Sequence, residues 1–454
     1  MHGEGEGRRH IRKNLRWRDR FIKRFVSFAV FFLYERVEVF ASSLDDLPED
    51  VPVLAVSNHF GGFADPFLLV YASPVVPRIV ARDKIWKVPF AGWIMNAIGA
   101  IPVHKPKEQQ GPTTNQNMFS SCYAALAAGE PLLIFPEGIT REDPSIAPVK
   151  TGAARIALGA REQGTVGILI LPIGIHYEDK AALRSKVFIN AGTPIDLDAT
   201  IDRYAPDGDP SPDNRDAVGR LTADIELYLR RVAPNFSDWH EARAMTQAAE
   251  VTLRSEADDP ADSVSIADRD MLAADLARVD QASKEEVIAA TGSLDTDLSG
   301  VGLTDAEVYR KMGTGRFVGF IIRSGLVLLV AIPLALIGLT VNIWPLLLIG
   351  AIGFLPVEPA VKATAKPAGA ILFFGIAWTI ALWQALRESV VAGVIAGLLL
   401  PVSLAALVYA SERVVRLAKV AKQWIRGRRV EAIGEQLVAK RAVVRHAVRS
   451  AVPR

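Results

Sequence analysis

The sequence predicts an α/β domain, a layered sheet and helices, followed by an all-α membrane region of about four helices. Three observations carry that prediction. Between residues 51 and 235 short apolar runs alternate with helical patterns, as a sheet covered by helices requires. Four nearly uncharged apolar stretches follow one another between Ser324 and Ala410, each close to the ~17 to 25 residues that a membrane-spanning helix needs. Half of the 454 residues are hydrophobic, at the upper end of what a soluble domain carries.

Residues 1–45 read as a basic amphipathic segment that associates with a membrane. Between Arg8 and Arg24 nine basic residues face one acid, Asp19, and Trp17, Phe21, Phe25 and Phe28 fall at helical spacing. The apolar run Phe25 to Leu33 is too short to cross ~30 Å of hydrocarbon, and it lacks the cleavage site of a secretory signal. Aromatics beside arginines suit the headgroup zone; an ordinary core helix with a solvated basic face has the same pattern. With apolar residues interleaved and no nucleic-acid-binding fold, lipid is the expected partner and nucleic acid is not.

Residues 46–235 form the α/β domain. Val51 to Val56, Arg78 to Ala81, Ile101 to His104, Pro131 to Phe135, Gly167 to Ile175 and Lys186 to Gly192 read as short buried strands. Phe67 to Tyr71, Phe90 to Ile98, Asn115 to Ala128, Ala153 to Glu162 and Ala217 to Val232 read as helices. The Pro-, Asp- and Gly-rich stretch Ala205 to Asp213 is a surface loop.

Residues 236–316 form an acidic, Ala-rich connector with helical pieces at Ile266 to Ala290 and Asp305 to Lys311. The transmembrane region, 317–411, holds the apolar stretches Ser324 to Val341, Ile343 to Val357, Ala368 to Leu386 and Val390 to Ala410. The second is short and carries Pro345, so it could instead form a re-entrant hairpin with the first. The tail, 412–454, is dense in arginine and lysine, which places the C-terminus in the cytoplasm by the positive-inside bias. An even number of crossings puts residues 1–316 there too, in a bacterium beneath the cytoplasmic membrane. The near absence of charge in the apolar stretches argues against an ion pathway.

The candidate chemistry begins at Ser57 to Phe67, SNHFGGFADPF. A histidine in the turn after a buried strand can accept a proton near neutral pH. Gly61 and Gly62 give the chain freedom to bring Asp65 back to the His59 ring. The alternative is a capped helix start, with Asp65 as cap and Pro66 at the first position. A second turn, Phe135 to Arg141, FPEGITR, could offer amides, a carboxylate and the Arg141 fork to a phosphate, or could be a solvated turn. Lys150 and Gly152 stand at the mouth of a helix whose N-terminus favours anions. The one cysteine, Cys122, excludes an intrachain disulfide, and its place in a helical pattern away from both turns argues against a thiol nucleophile. The seven histidines show no metal-ligand spacing.

These stretches resemble the four signature blocks of the membrane-associated glycerolipid acyltransferases. NHFGGFADP, Asp83 to Lys105, FPEGITR and ILPIGI (Ile170 to Ile175) occur in the family's order. The resemblance covers roughly residues 30–235 and says nothing about the apolar stretches. It implies that His59 is a general base oriented by Asp65, and that Glu137 and Gly138 bind the acceptor. It implies too that Lys105 stands where the family has a phosphate-binding arginine, and that Pro172 belongs to acyl-donor binding. Ile139 shifts Arg141 one place from its usual position. The implied reaction moves an acyl group from acyl-CoA or acyl carrier protein to glycerol 3-phosphate, with no metal or other cofactor. The alternatives are lysophosphatidate or another lysophospholipid as acceptor, or a membrane scaffold or transporter whose acyltransferase domain is degenerate. Five residues, Phe60 to Ala64, separate His59 from Asp65, where the commonest family pattern has four. That longer spacing resembles the fungal-type glycerol-3-phosphate and dihydroxyacetone-phosphate acyltransferases. Oligomeric state is not legible in these residues.

Overall fold

The computed structural model describes residues 17–41, 51–87, 91–104, 113–140, 143–182, 184–257, 264–302, 304–305, 314–357, 359–427 and 434–453. The chain divides at Ser237 into two units.

In the first unit the apolar runs become strands because they are short, aliphatic and buried on both faces, as parallel strands are. Its strands are β1 (Tyr34–Phe40), β2 (Val53–Ser57), β3 (Arg78–Arg82), β4 (Ile101–Val103), β5 (Leu132–Ile134), β6 (Leu169–Tyr177), β7 (Ser185–Ala191) and β8 (Ile195–Asp196). The sheet runs β1-β7-β6-β2-β5-β3-β4, with β8 beside β6. All pairings are parallel except those of β6 with β7 and β8. β2, β5 and β6 therefore point the same way, and the loops after them emerge at one edge.

The helices are α1 (Trp17–Leu33), α2 (Ala64–Ala72), α3 (Ala91–Ala97), α4 (Thr113–Ala127), α5 (Gly152–Glu162), α6 (Leu197–Tyr204) and α7 (Arg215–Val232). Leu54, Val56, Leu132 and Ile170 of the sheet pack with Cys122 and Leu126 of α4, Leu158 of α5 and Leu221 and Leu229 of α7 in one core. α1 packs on α2 through a face that buries Val26, Val30 and Leu33, while Trp17, Phe21, Phe25 and Phe28 stay exposed. Residues 34–40, read as part of the amphipathic segment, instead form β1. Their sequence YERVEVF alternates with the period of a strand, and the open edge of β7 accepts it.

In the second unit α8 (Trp239–Glu256), α9 (Ile266–Leu276), α10 (Gln281–Val301) and α15 (Gly434–Ala451) pack together. The expected helix Ile266 to Ala290 is broken between α9 and α10, because the Asp280 side chain accepts the Ser283 amide and starts a new helix there. Of the piece Asp305 to Lys311, only Asp305 lies within the described residues. Charged pairs tie α15 down: Arg441 to the buried Asp305 at 2.6 Å, Lys440 to Asp297 at 2.6 Å, and Arg449 to Glu256. Burial raises the Asp305 carboxyl above its ordinary range, and Arg441 opposes that rise.

The apolar stretches become α11 (Thr314–Ile337), α12 (Leu339–Ile352), α13 (Pro359–Glu388) and α14 (Val390–Gly427). These are the helices expected, about four in number, and the second is the short one. Among the described residues three segments are long and apolar enough to span a membrane, Phe317–Ile337, Thr364–Glu388 and Val390–Ala421, and α12 is shorter. Gly338 breaks the path between α11 and α12. In α12 the fully buried Asn342 bonds Ser403 Oγ at 3.0 Å and accepts the Trp378 indole N–H at 2.9 Å, so its amide is satisfied among apolar helices.

Candidate active site

The His59 loop is shaped by its glycines. Gly62 adopts φ 57°, a left-handed conformation that favours glycine. The Ala64 amide bonds the Gly61 carbonyl at 3.2 Å, and α2 starts at once. Asp65 is therefore in the first turn of α2 and is not its cap: the cap position is Phe63, whose side chain makes no capping bond. Asp65 instead turns back. Its Oδ2 lies 2.8 Å from His59 Nδ1, and the Gly61 amide donates to both carboxylate oxygens, at 3.1 and 2.9 Å. The carboxylate is fully buried, whereas the His59 side chain keeps 22% of its surface exposed. That arrangement holds the Nδ1 edge inside and leaves the ring at the surface.

The turn after β5 supports this loop from the neighbouring strand. The Phe135 ring stacks on the His59 ring, centroids 4.3 Å apart. Glu137, 1% exposed, accepts the His59 amide at 2.9 Å and the Ala147 amide at 2.8 Å, one on each oxygen. Burial raises its carboxyl above the ordinary range, and the two amides oppose that rise. Gly138 has φ 64° and carries Lys150 above it: a Cβ at Gly138 would lie 2.5 Å from the lysine ammonium. The Lys150 amide donates to the Pro136 carbonyl at 3.0 Å, and its side chain is exposed just before α5.

The sheet edge thus brings His59, Asp65, Glu137, Gly138 and Lys150 together. Pro172 is buried within β6, paired with Val56 of β2, where the strand changes partner from β8 to β7; a residue without an N–H is tolerated there. Lys105 and Arg141 lie outside the described residues. Cys122 is buried, and burial pushes its thiol up to about 12, so it offers no thiolate nucleophile.

Sequence reasoning missed two residues of this edge. Asn58, unread within the quoted motif, trades hydrogen bonds with the Ile175 amide and carbonyl at 2.7 and 3.0 Å and so stitches the loop to β6. Tyr177 donates its hydroxyl to Asp65 Oδ1 at 2.5 Å. The only signal for it is its position at the end of β6, directly after the fourth block and His176.

Residues 38–176 match the family model for acyltransferases. Over 146 residues the chain is 32% identical to glycerol-3-phosphate O-acyltransferase 2 of Saccharomyces cerevisiae, covering 31% of this chain and 19% of that protein. It is 28% identical over 126 residues to a 1-acyl-sn-glycerol-3-phosphate acyltransferase of Chlamydomonas reinhardtii, covering 28% of this chain and 34% of that one. It is 31% identical over 134 residues to the lyso-ornithine lipid O-acyltransferase of Brucella abortus, covering 29% of this chain and 47% of that one. The chain spans under a fifth of the length of the yeast relative, 19%.

Proposed function

We propose that this chain, whose residues 38–176 belong to the acyltransferase family, transfers a fatty acyl group from acyl-CoA or acyl carrier protein to glycerol 3-phosphate. The observation that carries the reading is the 2.8 Å bond between His59 Nδ1 and the buried Asp65 carboxylate. That bond favours the tautomer with its proton on Nδ1, which leaves a lone pair on Nε2. Nε2 takes the proton of the acceptor hydroxyl as its oxygen attacks the thioester carbonyl, and Asp65 stabilises the imidazolium that forms. The C–S bond then breaks and the imidazolium returns the proton to the leaving sulfur. General-base help of this kind is worth ~10² to 10⁴ in rate.

Lys150, exposed beside Gly138, is the cation we assign to the acceptor phosphate, with Lys105 and Arg141 as further donors. Glu137 acts beneath the site, through the His59 amide. Pro172 acts on the donor through the path of β6, since its own ring is buried. The five-residue separation of His59 and Asp65 and the likeness to yeast glycerol-3-phosphate acyltransferases favour glycerol 3-phosphate. A lysophospholipid acceptor is the second reading, favoured by the algal and Brucella relatives. A scaffold or transporter with a degenerate domain is disfavoured by the intact dyad.

The exposed aromatics of α1 and the arginines beside them support docking of this helix on a membrane surface. The arginines and lysines that follow α14 support a cytoplasmic tail, and with it cytoplasmic placement of the catalytic unit.

The full-length protein in nanodiscs, given labelled acyl-CoA with glycerol 3-phosphate, dihydroxyacetone phosphate or lysophosphatidate separately, tests the proposal. Transfer to glycerol 3-phosphate, abolished by His59→Ala, is the expected result. Transfer to lysophosphatidate alone refutes the acceptor, and near-normal activity of His59→Ala refutes the mechanism.

A further inference from the structure

A buried carboxylate must have all its lone pairs engaged, or its burial is costly. Asp65 meets that demand beyond His59: the Gly61 amide serves both oxygens, and the Tyr177 hydroxyl donates to Oδ1, the oxygen that His59 does not use. Tyr177 ends β6, and β6 lies directly beside β2, so the sheet carries the phenol to the dyad. No slack remains there, because a Cβ at Gly61 would lie against the Tyr177 hydroxyl and 2.6 Å from Asp65 Oδ1. Behind Tyr177 stands Tyr34, the first residue of β1, with ring centroids 6.3 Å apart. A carboxylate can only accept. The single Tyr177 hydrogen is thus committed to Asp65, and the Tyr177 oxygen keeps its capacity to accept.

We infer that Tyr177, with Tyr34 donating to its oxygen, is a positioning residue that sets the basicity of His59 by drawing charge toward the far oxygen of Asp65. Tyr177 lies one residue beyond the segment 38–176 that matches the family. Burial, and then the Asp65 charge, hold both phenols far above the ordinary phenol range, so both remain donors. Among the described residues Glu137 also faces the dyad, and Lys150 stands at the same edge; both are common to parent and variant.

The inference rests on His59 being the base of acyl transfer, but its signature lies in the imidazole itself. Full-length protein in nanodiscs, labelled at histidine nitrogen, gives the His59 titration by NMR, with the signal identified by its loss in His59→Gln. Tyr177→Phe removes only the hydroxyl. The negative charge then concentrates toward His59 and stabilises the imidazolium, so the His59 pKa and the acidic limb of kcat/KM both move to higher pH. Tyr34→Phe shifts the titration in the same direction by less. A folded Tyr177→Phe whose His59 titrates as in the parent overturns the inference, whatever happens to its activity. Where Tyr177→Phe does not fold, an unshifted Tyr34→Phe overturns it instead. If the parent transfers no acyl group, the proposed function fails while the His59 titration still decides this point.

Discussion

Glu137 is the residue whose replacement best separates two accounts of the FPEGITR turn. Glu137→Gln preserves shape but turns one acceptor oxygen into an NH2 donor. Either the His59 amide or the Ala147 amide, now bonded at 2.9 and 2.8 Å, then faces a donor, and the new NH2 lacks an acceptor. Each unsatisfied buried group costs about 1 to 3 kcal/mol. The variant in turn avoids burying a charge, a cost visible in the raised Glu137 carboxyl. The net loss is roughly 1 to 4 kcal/mol, which at 1.36 kcal/mol per tenfold opens the loop about fivefold to a thousandfold more often. Hydrogen exchange over residues 57–65 reads that opening directly, and kcat falls with it because a misplacement of about 1 Å costs ~10²-fold. Since the folded carboxyl is raised, its contribution to stability is full below the unfolded value and is lost as pH rises through the folded one. Glutamine lacks this slope, so the deficit of the variant narrows with rising pH. Native exchange and native kcat with a raised acceptor KM would show instead that Glu137 touches the acceptor, and the holding role would be refuted.

Three further outcomes follow from the geometry. Gly138→Ala places a side chain at φ 64° and against the Lys150 ammonium; acceptor KM rises more than donor KM in steady-state kinetics, with about 1 kcal/mol lost in stability. Gly61→Ala drives a Cβ into Tyr177 and Asp65, and activity falls to the level of Asp65→Asn while the thermal transition of the second unit is kept. Cys122 resists maleimide in the native protein at pH 8, because it is buried and its thiol is pushed up to about 12, and Cys122→Ala retains activity.

The sheet was legible because each buried strand is a short apolar run bounded by Pro, Gly or polar residues, and β2, β3, β5 and β6 fall where those runs lie. β1 was hidden because it follows a helix of strong aromatic pattern without a turn residue, and its partner β7 is remote in sequence. His59 and Asp65 were visible as a pair, but whether Asp65 capped α2 or faced the ring depended on the φ of Gly62, which the sequence allows without dictating. Glu137 was visible as a candidate, yet the direction of its carboxylate, toward two backbone amides, is set by packing. Tyr177 was illegible because its role depends on β6 lying next to β2, a pairing across more than a hundred residues.

α15 re-enters the bundle that the chain leaves before α11, held there by Arg441 on Asp305 and Lys440 on Asp297. A chain that departs from and returns to one aqueous bundle makes a round trip, and the three long apolar helices among the described residues do not complete one. For all three to cross, α12 must be the fourth passage. Its 14 residues reach about 21 Å, well short of ~30 Å of hydrocarbon. Its flank of Ile343, Leu347 and Leu348 is exposed, so the mismatch falls on lipid. The bilayer beside α12 is therefore expected to be pinched, and a dimple of this kind draws headgroups and water toward the polar cluster of Asn342.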